Sequence, residues 1–186
     1  MSAWLQESQL VNIDDVHAAL CSPVSKHHDP TLKHVEQELL DHLRDFLDFV
    51  NVVCVNDPDA GKKYYDLTDS TDFDLMGQLH RPGFEKHYDH ITPYLADANV
   101  AFKDVEIFAV TPDFGYITYI QHFKGTSSDK TPFDFTFRAT SVLRKIDGHW
   151  KYIHEHFSFP VNMANKQADT TSGQSLSDNV EFNKSK

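Results

Sequence analysis

Glu155 is the residue whose type and position most clearly indicate chemistry, because it is the lone carboxylate on the apolar side of a predicted strand. Residues 147–160 read DGHWKYIHEHFSFP, and side chains alternate between the two sides of a strand. One side carries Ile153, Glu155, Phe157 and Phe159, and the other carries Trp150, Tyr152, His154, His156 and Ser158. A carboxyl group among apolar side chains loses hydration, so its pKa rises and it can transfer a proton near neutral pH. We therefore predict that Glu155 is a general base; the alternative is an ion pair or a rim position without chemistry.

The first half of the chain has the periodicity of helices. Asp29-Pro30 is a helix start, because aspartate caps free amides and proline is preset for the first turn. Apolar residues then recur every three or four positions to residue 50, which predicts a long amphipathic helix. A short helix over 62–67 carries Tyr64 and Tyr65, and a third helix over 84–91 is ended by Thr92-Pro93.

The second half has the period of strands. Alternation predicts four strands, over 100–110, 114–124, 132–145 and 150–159. A further strand is expected over 70–77, and Asp147-Gly148 suits the tight turn of the last hairpin. Helices followed by sequential hairpins predict an α+β fold, in which the helices cover one face of a curved antiparallel sheet.

Composition limits the classes of protein that this chain can be. With 186 residues it can bury one core, and we expect a peripheral extension over 1–28, a domain over 29–162 and a disordered tail over 163–186. The net charge of −11 disfavours nucleic acid and anionic membranes as partners. Two cysteines, no signal-like segment and no long apolar run favour a cytoplasmic protein that does not enter membranes.

The pattern of helices and strands, with the closing hairpin, resembles the SnoaL-like family of the nuclear transport factor two-like, ketosteroid-isomerase-like superfamily. The resemblance covers roughly residues 30–162 and is carried by Arg138-x-Thr140, then Asp147-Gly148-x-Trp150, then His154-x-His156-x-Ser158. The closing hairpin is also similar to that of the association domain of calmodulin-dependent kinase. The resemblance implies a cone-shaped half-barrel with a pocket at its open end, and a convex sheet face that forms a homodimer.

The residues themselves indicate which face lines the cone. The side of the sheet that carries Glu155 is rich in aromatic residues and must meet the apolar stripe of the long helix, since exposing it would cost several kcal/mol. We therefore expect the ligand to be a small apolar molecule, with contacts from Phe135, Phe137, Ser141, Phe157 and Tyr88.

Further polar residues are candidates for catalysis. Tyr119, Gln121 and Tyr65 are potential hydrogen-bond donors to a developing enolate oxygen, although a core hydrogen bond is an alternative role for Tyr119 and Gln121. Asp74 is expected near the rim of the cone. Asp72, His80 and His87 are expected there too, and any of these four residues is a candidate to replace or assist Glu155.

Two histidines at strand spacing raise the question of a metal. His154 and His156 lie on one side of their strand, and His122 lies on the same side of another strand. Three imidazoles suit a transition metal, but the same residues fit a dimer face or a polar network. We expect no metal and no other cofactor.

Two functions of different classes remain open. The first is an isomerase, cyclase or dehydratase (lyase) that acts on an apolar carbonyl metabolite by general acid/base catalysis. The second is a module that binds a small ligand, or dimerises as a scaffold, without catalysis. An open cavity around a buried carboxylate favours the enzyme, whereas aromatic side chains that fill the cone favour the scaffold.

Overall fold

A curved, unclosed sheet of six strands forms the wall of the domain in the computed structural model, which describes residues 3–75, 77 and 79–172. The strands are β1 (Thr71–Phe73), β2 (Leu79–His80), β3 (Asp97–Thr111), β4 (Phe114–Thr126), β5 (Pro132–Ile146) and β6 (His149–Ser158). Their order in the sheet is β2-β1-β6-β5-β4-β3. The helices are α1 (Ile13–Ala18), α2 (Lys33–Asp48) and α3 (Glu85–Tyr94). The α+β class and the four long strands are confirmed.

The long helix begins where the sequence predicts. Asp29 caps it by accepting a hydrogen bond from the Thr31 N–H at 2.9 Å, a short 3₁₀ turn (Pro30–Leu32) leads into α2, and a wider turn (Phe49–Val53) extends it. The side chains that α2 turns to the sheet are fully buried: Val35, Leu39, Leu40, Leu43 and Leu47. This stripe fills the inner end of the cone.

The closing hairpin also has the predicted turn. Asp147 and Gly148 have positive φ angles of 51° and 80°, and Ile146 pairs with His149. Two residues with positive φ give a turn whose twist matches that of the flanking strands. The turn and a one-residue bulge further along β6 together set the register that brings Glu155 opposite Ser141.

A β-bulge in β6 places two aromatic residues on the side of the sheet opposite to the one predicted. Val142 pairs with His154 and Leu143 pairs with Tyr152, so Ile153 is an extra residue without a partner. The extra residue reverses the alternation before it, and Tyr152 therefore lies on the same side as Glu155, fully buried. Trp150 is turned inward in the same way, and its indole N–H donates to Glu38 on α2 at 3.1 Å.

Three shorter elements differ from the prediction. The segment after Asp57 is a 3₁₀ helix (Pro58–Tyr64) rather than a helix over 62–67, and α3 continues through Pro93 to Tyr94. The strand expected over 70–77 is only three residues long, and it runs parallel to β6. Parallel pairing requires a long crossover connection, which the whole of α3 to β5 provides here.

Both ends of the described chain pack against the sheet. The backbone of Leu5 pairs with that of Phe102, and the Trp4 ring covers His122 on the convex side. Among residues 163–172, which were assigned to the tail, the Thr170 carbonyl accepts from the Thr136 N–H at 2.7 Å. The remainder of the expected tail, 173–186, lies outside the described residues, and the domain limits stay a prediction.

No helix in the described part of the chain is both long enough and apolar enough to cross a membrane.

Shortening a buried side chain in the stripe of α2 is expected to destabilise the fold. Leu43 is fully buried, so Leu43→Ala should lower the free energy of unfolding by about 2–5 kcal/mol, through lost burial and a residual cavity. Urea denaturation followed by circular dichroism measures this change. Val52→Ala, at a side chain that is 52% exposed, is the control and should change little; equal effects of the two variants would contradict this packing.

Candidate active site

An open cavity of about 560 Å³ lies between the concave side of the sheet and helices α2 and α3. Its walls are mostly aromatic, and the predicted ligand contacts Tyr88, Phe135, Phe137 and Phe157 all line it. Phe137 packs edge-on against Phe157, with ring centroids 5.3 Å apart, so these rings form the wall and leave the centre open. The volume is in the range of sites that hold a small organic molecule, roughly 300–1,000 Å³.

Glu155 lies at the inner end of this cavity and is only 2% exposed. The next inward residue on the same side of β6, Tyr152, is fully buried and does not line the cavity. Burial, followed by the nearby carboxylate of Asp72, raises the pKa of Glu155 from 4.5 to about 8, against hydrogen bonds from Ser141 and Tyr65 that favour the charged form. Glu155 is therefore mainly protonated at neutral pH and titrates just above it.

Asp72 lies deeper than the rim position that the sequence predicts. The parallel pairing of β1 with β6 sets Asp72 beside Glu155, where it is 2% exposed. One of its oxygens accepts from the Glu155 N–H at 2.8 Å and the other accepts from the Ser70 hydroxyl at 2.5 Å. Burial raises the pKa of Asp72 as well. The two carboxyl groups thus form a coupled pair, which titrates as a unit.

Tyr119 reaches Glu155 through Ser141. The Tyr119 hydroxyl lies 3.0 Å from Ser141 Oγ, and the Ser141 hydroxyl donates to Glu155 Oε1 at 2.9 Å. Ser141 was expected to contact a ligand, but it is fully buried behind Glu155 and does not line the cavity. Tyr119 does line it, and burial raises the pKa of its hydroxyl far above 10. This chain of hydroxyl groups holds the carboxyl group in one orientation.

Two other predicted residues reach the cavity. The ring of Tyr65 packs against Phe84 and Tyr88, and burial, followed by the charge of Glu155, raises the pKa of its hydroxyl well above 10. Gln121 is partly exposed on the wall. Its amide is a polar group in an otherwise apolar stretch, where it suits a hydrogen bond to a ligand.

Three polar side chains lie together at the mouth of the cavity. Asp74 and His87 line it, and His80 lies beside them. Asp74 Oδ2 is 3.3 Å from Nε2 of His80 and 3.8 Å from Nε2 of His87. Burial, with a contribution from His80, lowers the pKa of His87, so its imidazole is neutral at neutral pH. The prediction that these residues lie near the rim agrees with their positions.

His122, His154 and His156 do not meet on the convex face. His122 aligns with Thr136 of β5, whereas His156 aligns with Thr140, a separation of roughly 13 Å along the sheet. His122 Nε2 instead contacts Asp134 at 2.6 Å, and His154 Nδ1 contacts the Thr71 carbonyl. These residues hold the sheet together.

Comparison with known proteins agrees with this fold. The family model for the SnoaL-like domain matches residues 83–162. An NTF2-like protein of unknown function from Pseudomonas putida superposes with a TM-score of 0.59 at 20% identity, over 74% of this chain and 94% of its own. A candidate scytalone dehydratase from Novosphingobium aromaticivorans gives a TM-score of 0.59 at 11% identity, over 79% and 99%. The association domain of C. elegans CaMKII gives 0.53 at 17% identity, over 70% and 99%. No curated protein matches the chain.

The fold and its cavity define a cone-shaped α+β domain built around a pocket. Residues 83–162 match the SnoaL-like domain model, and the fold is that of the NTF2-like structures, in agreement with the resemblance in the sequence. Since the structural relatives are at most 20% identical, their likeness concerns the fold alone.

The raised pKa of Glu155 predicts how stability varies with pH. The folded chain keeps a proton on Glu155 up to about pH 8, whereas the unfolded chain releases it near pH 4.5. The stabilising contribution is therefore complete at low pH and is lost as the pH rises between these values, by roughly 1 kcal/mol per pH unit. Glu155→Gln removes this loss, so the variant should gain stability relative to wild type as the pH rises.

Urea unfolding at a series of pH values tests this prediction. Glu7→Gln, at an exposed carboxylate near the N-terminus, is the matched control and should keep the slope of wild type. Parallel curves for wild type and Glu155→Gln would show that Glu155 is ionised in the folded protein.

Proposed function

We propose that the chain is an isomerase or lyase that moves a proton on an apolar carbonyl compound, with Glu155 as the general base. The observation that carries this proposal is the buried carboxyl group of Glu155, with a pKa of about 8, beside Asp72 at the inner end of an open aromatic cavity. A base with a pKa near the working pH combines sufficient strength with a useful ionised fraction.

The aromatic walls support a flat, ring-containing substrate. Rings such as Phe135 and Phe157 line the cavity, and aromatic side chains bind other rings by offset or edge-on stacking. We infer a cyclic ketone that carries either a hydroxyl group or a double bond next to the carbon that loses its proton.

The proposed chemistry begins with transfer of a proton from a carbon of the substrate to Glu155. Ionised Glu155 takes the proton on the carbon next to the carbonyl, and the electron pair of the broken C–H bond moves into an enolate. In the isomerase the same proton returns at another carbon. In the lyase the enolate expels the hydroxyl group, which leaves as water after taking the proton that Glu155 accepted from the carbon.

The tyrosines support the enolate stage. The Tyr65 hydroxyl donates a hydrogen bond to Glu155 and Tyr119 lines the same cavity, and hydrogen bonds that strengthen as negative charge develops lower the barrier. Gln121 is positioned for the same role on the wall. The distant likeness to a candidate scytalone dehydratase fits a lyase but concerns the fold alone.

The rate should follow the ionisation of Glu155. With a panel of cyclic β-hydroxy ketones and unconjugated enones, followed by ultraviolet absorbance of the conjugated product, kcat/KM should rise with pH and level off above about pH 8. Glu155→Gln should lower kcat by about 10²-fold or more. Glu7→Gln should match wild type.

Two results would contradict the proposal. A rate that falls above pH 8 would make protonated Glu155 an acid, and turnover that survives Glu155→Gln would remove it from the reaction. Tight binding of these compounds without turnover by wild type would favour the second candidate, a ligand-binding module.

We also propose that the convex side of β1 and β2 is a homodimer contact. Phe73 and Leu79 pair across these strands and are 40% and 47% exposed, and the Phe73 ring packs on His156. This gives an apolar patch at the edge of the convex face. Homo-oligomers are consistent with the likeness to an association domain.

Sedimentation velocity tests the dimer. Wild type should sediment at twice its chain mass of 21.3 kDa, and Phe73→Asp should sediment as a monomer because a charge in an apolar contact is costly. Val110→Asp, at an exposed residue near the end of β3, should leave the dimer intact. A monomeric wild type, or a dimeric Phe73→Asp, would overturn this contact.

A further inference from the structure

Three side chains at the mouth of the cavity converge in a way that a proton-transfer site does not need. Asp74 follows β1, His80 belongs to β2, and His87 lies in the first turn of α3. One potential ligand atom from each of the three side chains lies within 4.8 Å of the other two. Two imidazole nitrogens and one carboxylate oxygen, contributed by three elements, form a common donor set for a divalent transition metal.

The distances are compatible with a shared ion. Asp74 Oδ2 is within hydrogen-bond range of His80 Nε2 but not of His87 Nε2. Two ligand atoms that each lie about 2.1 Å from one metal are roughly 3.0–3.4 Å apart, whereas an N–H···O hydrogen bond has its most frequent length near 2.9–3.0 Å. The observed separations from Asp74 Oδ2 are 3.3 Å to His80 and 3.8 Å to His87. The second is too long for a hydrogen bond and needs only a small closure for a metal.

The surroundings also fit a metal. The side chains of Asp74, His80 and His87 are 9%, 17% and 10% exposed, so the group is shielded from bulk water. The two imidazole rings are close, with centroids 3.9 Å apart and planes tilted by 32°, and both have Nε2 near Asp74 Oδ2. Asp74 and His87 line the cavity, and a bound ion would therefore have coordination positions that open into it.

A second cluster of similar composition consists of His17, His28 and Glu36, and its imidazole nitrogens already have hydrogen-bond partners. His28 contacts Glu36 through Nδ1 at 2.6 Å and Glu106 through Nε2 at 3.3 Å, so both of its nitrogens are already used. His17 Nε2 accepts the Ile107 N–H at 3.2 Å. The hydrogen bonds of the His28 cluster therefore hold the N-terminal segment against α2 and β3. This cluster is a control for metal binding by histidines elsewhere in the chain.

We propose that Asp74, His80 and His87 bind one divalent transition metal, of the zinc or ferrous type, at the mouth of the cavity. The proposal goes beyond the function proposed above and differs from the expectation that the chain binds no metal. Asp74 is two residues from Asp72, which pairs with Glu155, so the ion would lie roughly 7 Å along the strand from the level of the base. An oxygen atom of a bound carbonyl or phenol would reach its open positions.

Calorimetric titration of untagged, chelator-treated protein with Zn²⁺ is the main test. We expect one ion per chain, and visible absorption of the Co²⁺ form should show bands of a nitrogen- and oxygen-coordinated ion. His87→Ala and His80→Ala should each weaken Zn²⁺ binding by about tenfold or more, since each removes a direct ligand.

Matched controls separate this site from other histidines and from the proposed reaction. His90→Ala removes an exposed histidine of the same helix, and His28→Ala removes the ring at the centre of the other cluster; both should bind Zn²⁺ as wild type does. Glu155→Gln should also bind Zn²⁺ normally, so loss of turnover in that variant is distinguishable from loss of metal.

Three results would overturn the proposal. They are no Zn²⁺ binding by wild type, binding that His28→Ala abolishes, and binding that both His80→Ala and His87→Ala retain. Circular dichroism of each variant shows whether it is folded. The Co²⁺ spectrum of wild type reports the ligands without any substitution.

Discussion

The parallel pairing of β1 with β6 is the contact on which the candidate active site depends. It places Asp72 next to Glu155, two carboxyl groups in a region that excludes water. Because burial, and after it the neighbouring carboxylate, disfavours the charged form, the pKa of Glu155 rises to about 8. The N–H of Glu155 and the hydroxyl of Ser70 donate hydrogen bonds to the carboxylate of Asp72. These bonds favour the charged form of Asp72, so the proton resides mainly on Glu155.

The rest of the fold keeps this pair both dry and accessible. The leucine stripe of α2, with Tyr152 from the sheet, closes the inner end of the cone. Aromatic side chains such as Phe137 and Phe157 build the walls but leave about 560 Å³ open. Removing the aromatic wall from water stabilises the fold through its area, and the same wall suits a flat apolar ligand. A scaffold without a ligand would have no need for a cavity that holds a titratable group.

Much of the fold was predictable because it depends on local pattern. The start of α2 follows from Asp29 and Pro30, and the last hairpin follows from Asp147-Gly148, since both signals act within a few residues. The inward position of Glu155 followed from alternation alone. Alternation failed for Trp150 and Tyr152 because one extra residue at Ile153 reverses it, and nothing in the local sequence marks that bulge.

The partners of Glu155 were less predictable, since they depend on contacts between distant parts of the chain. Asp72 is 83 residues away along the chain, and its strand is too short to show its register by pattern. Ser141 was assigned to the correct face, but only the register of β5 with β6 shows that it holds Glu155 from behind. The convergence of His80 and His87 on Asp74 similarly depends on how α3 packs over the cavity.

The protonation state of Glu155 is the central claim, and carbon NMR of its side-chain carboxyl group tests it most directly. Protein labelled with ¹³C at glutamate carboxyl carbons, compared with Glu155→Gln to assign the signal, should show a resonance that titrates near pH 8. Asp72→Asn should lower that pKa, because it removes the neighbouring charge. A Glu155 signal that titrates near the ordinary value of about 4.3 would show that the carboxyl group is solvated, and the account of this site would be wrong.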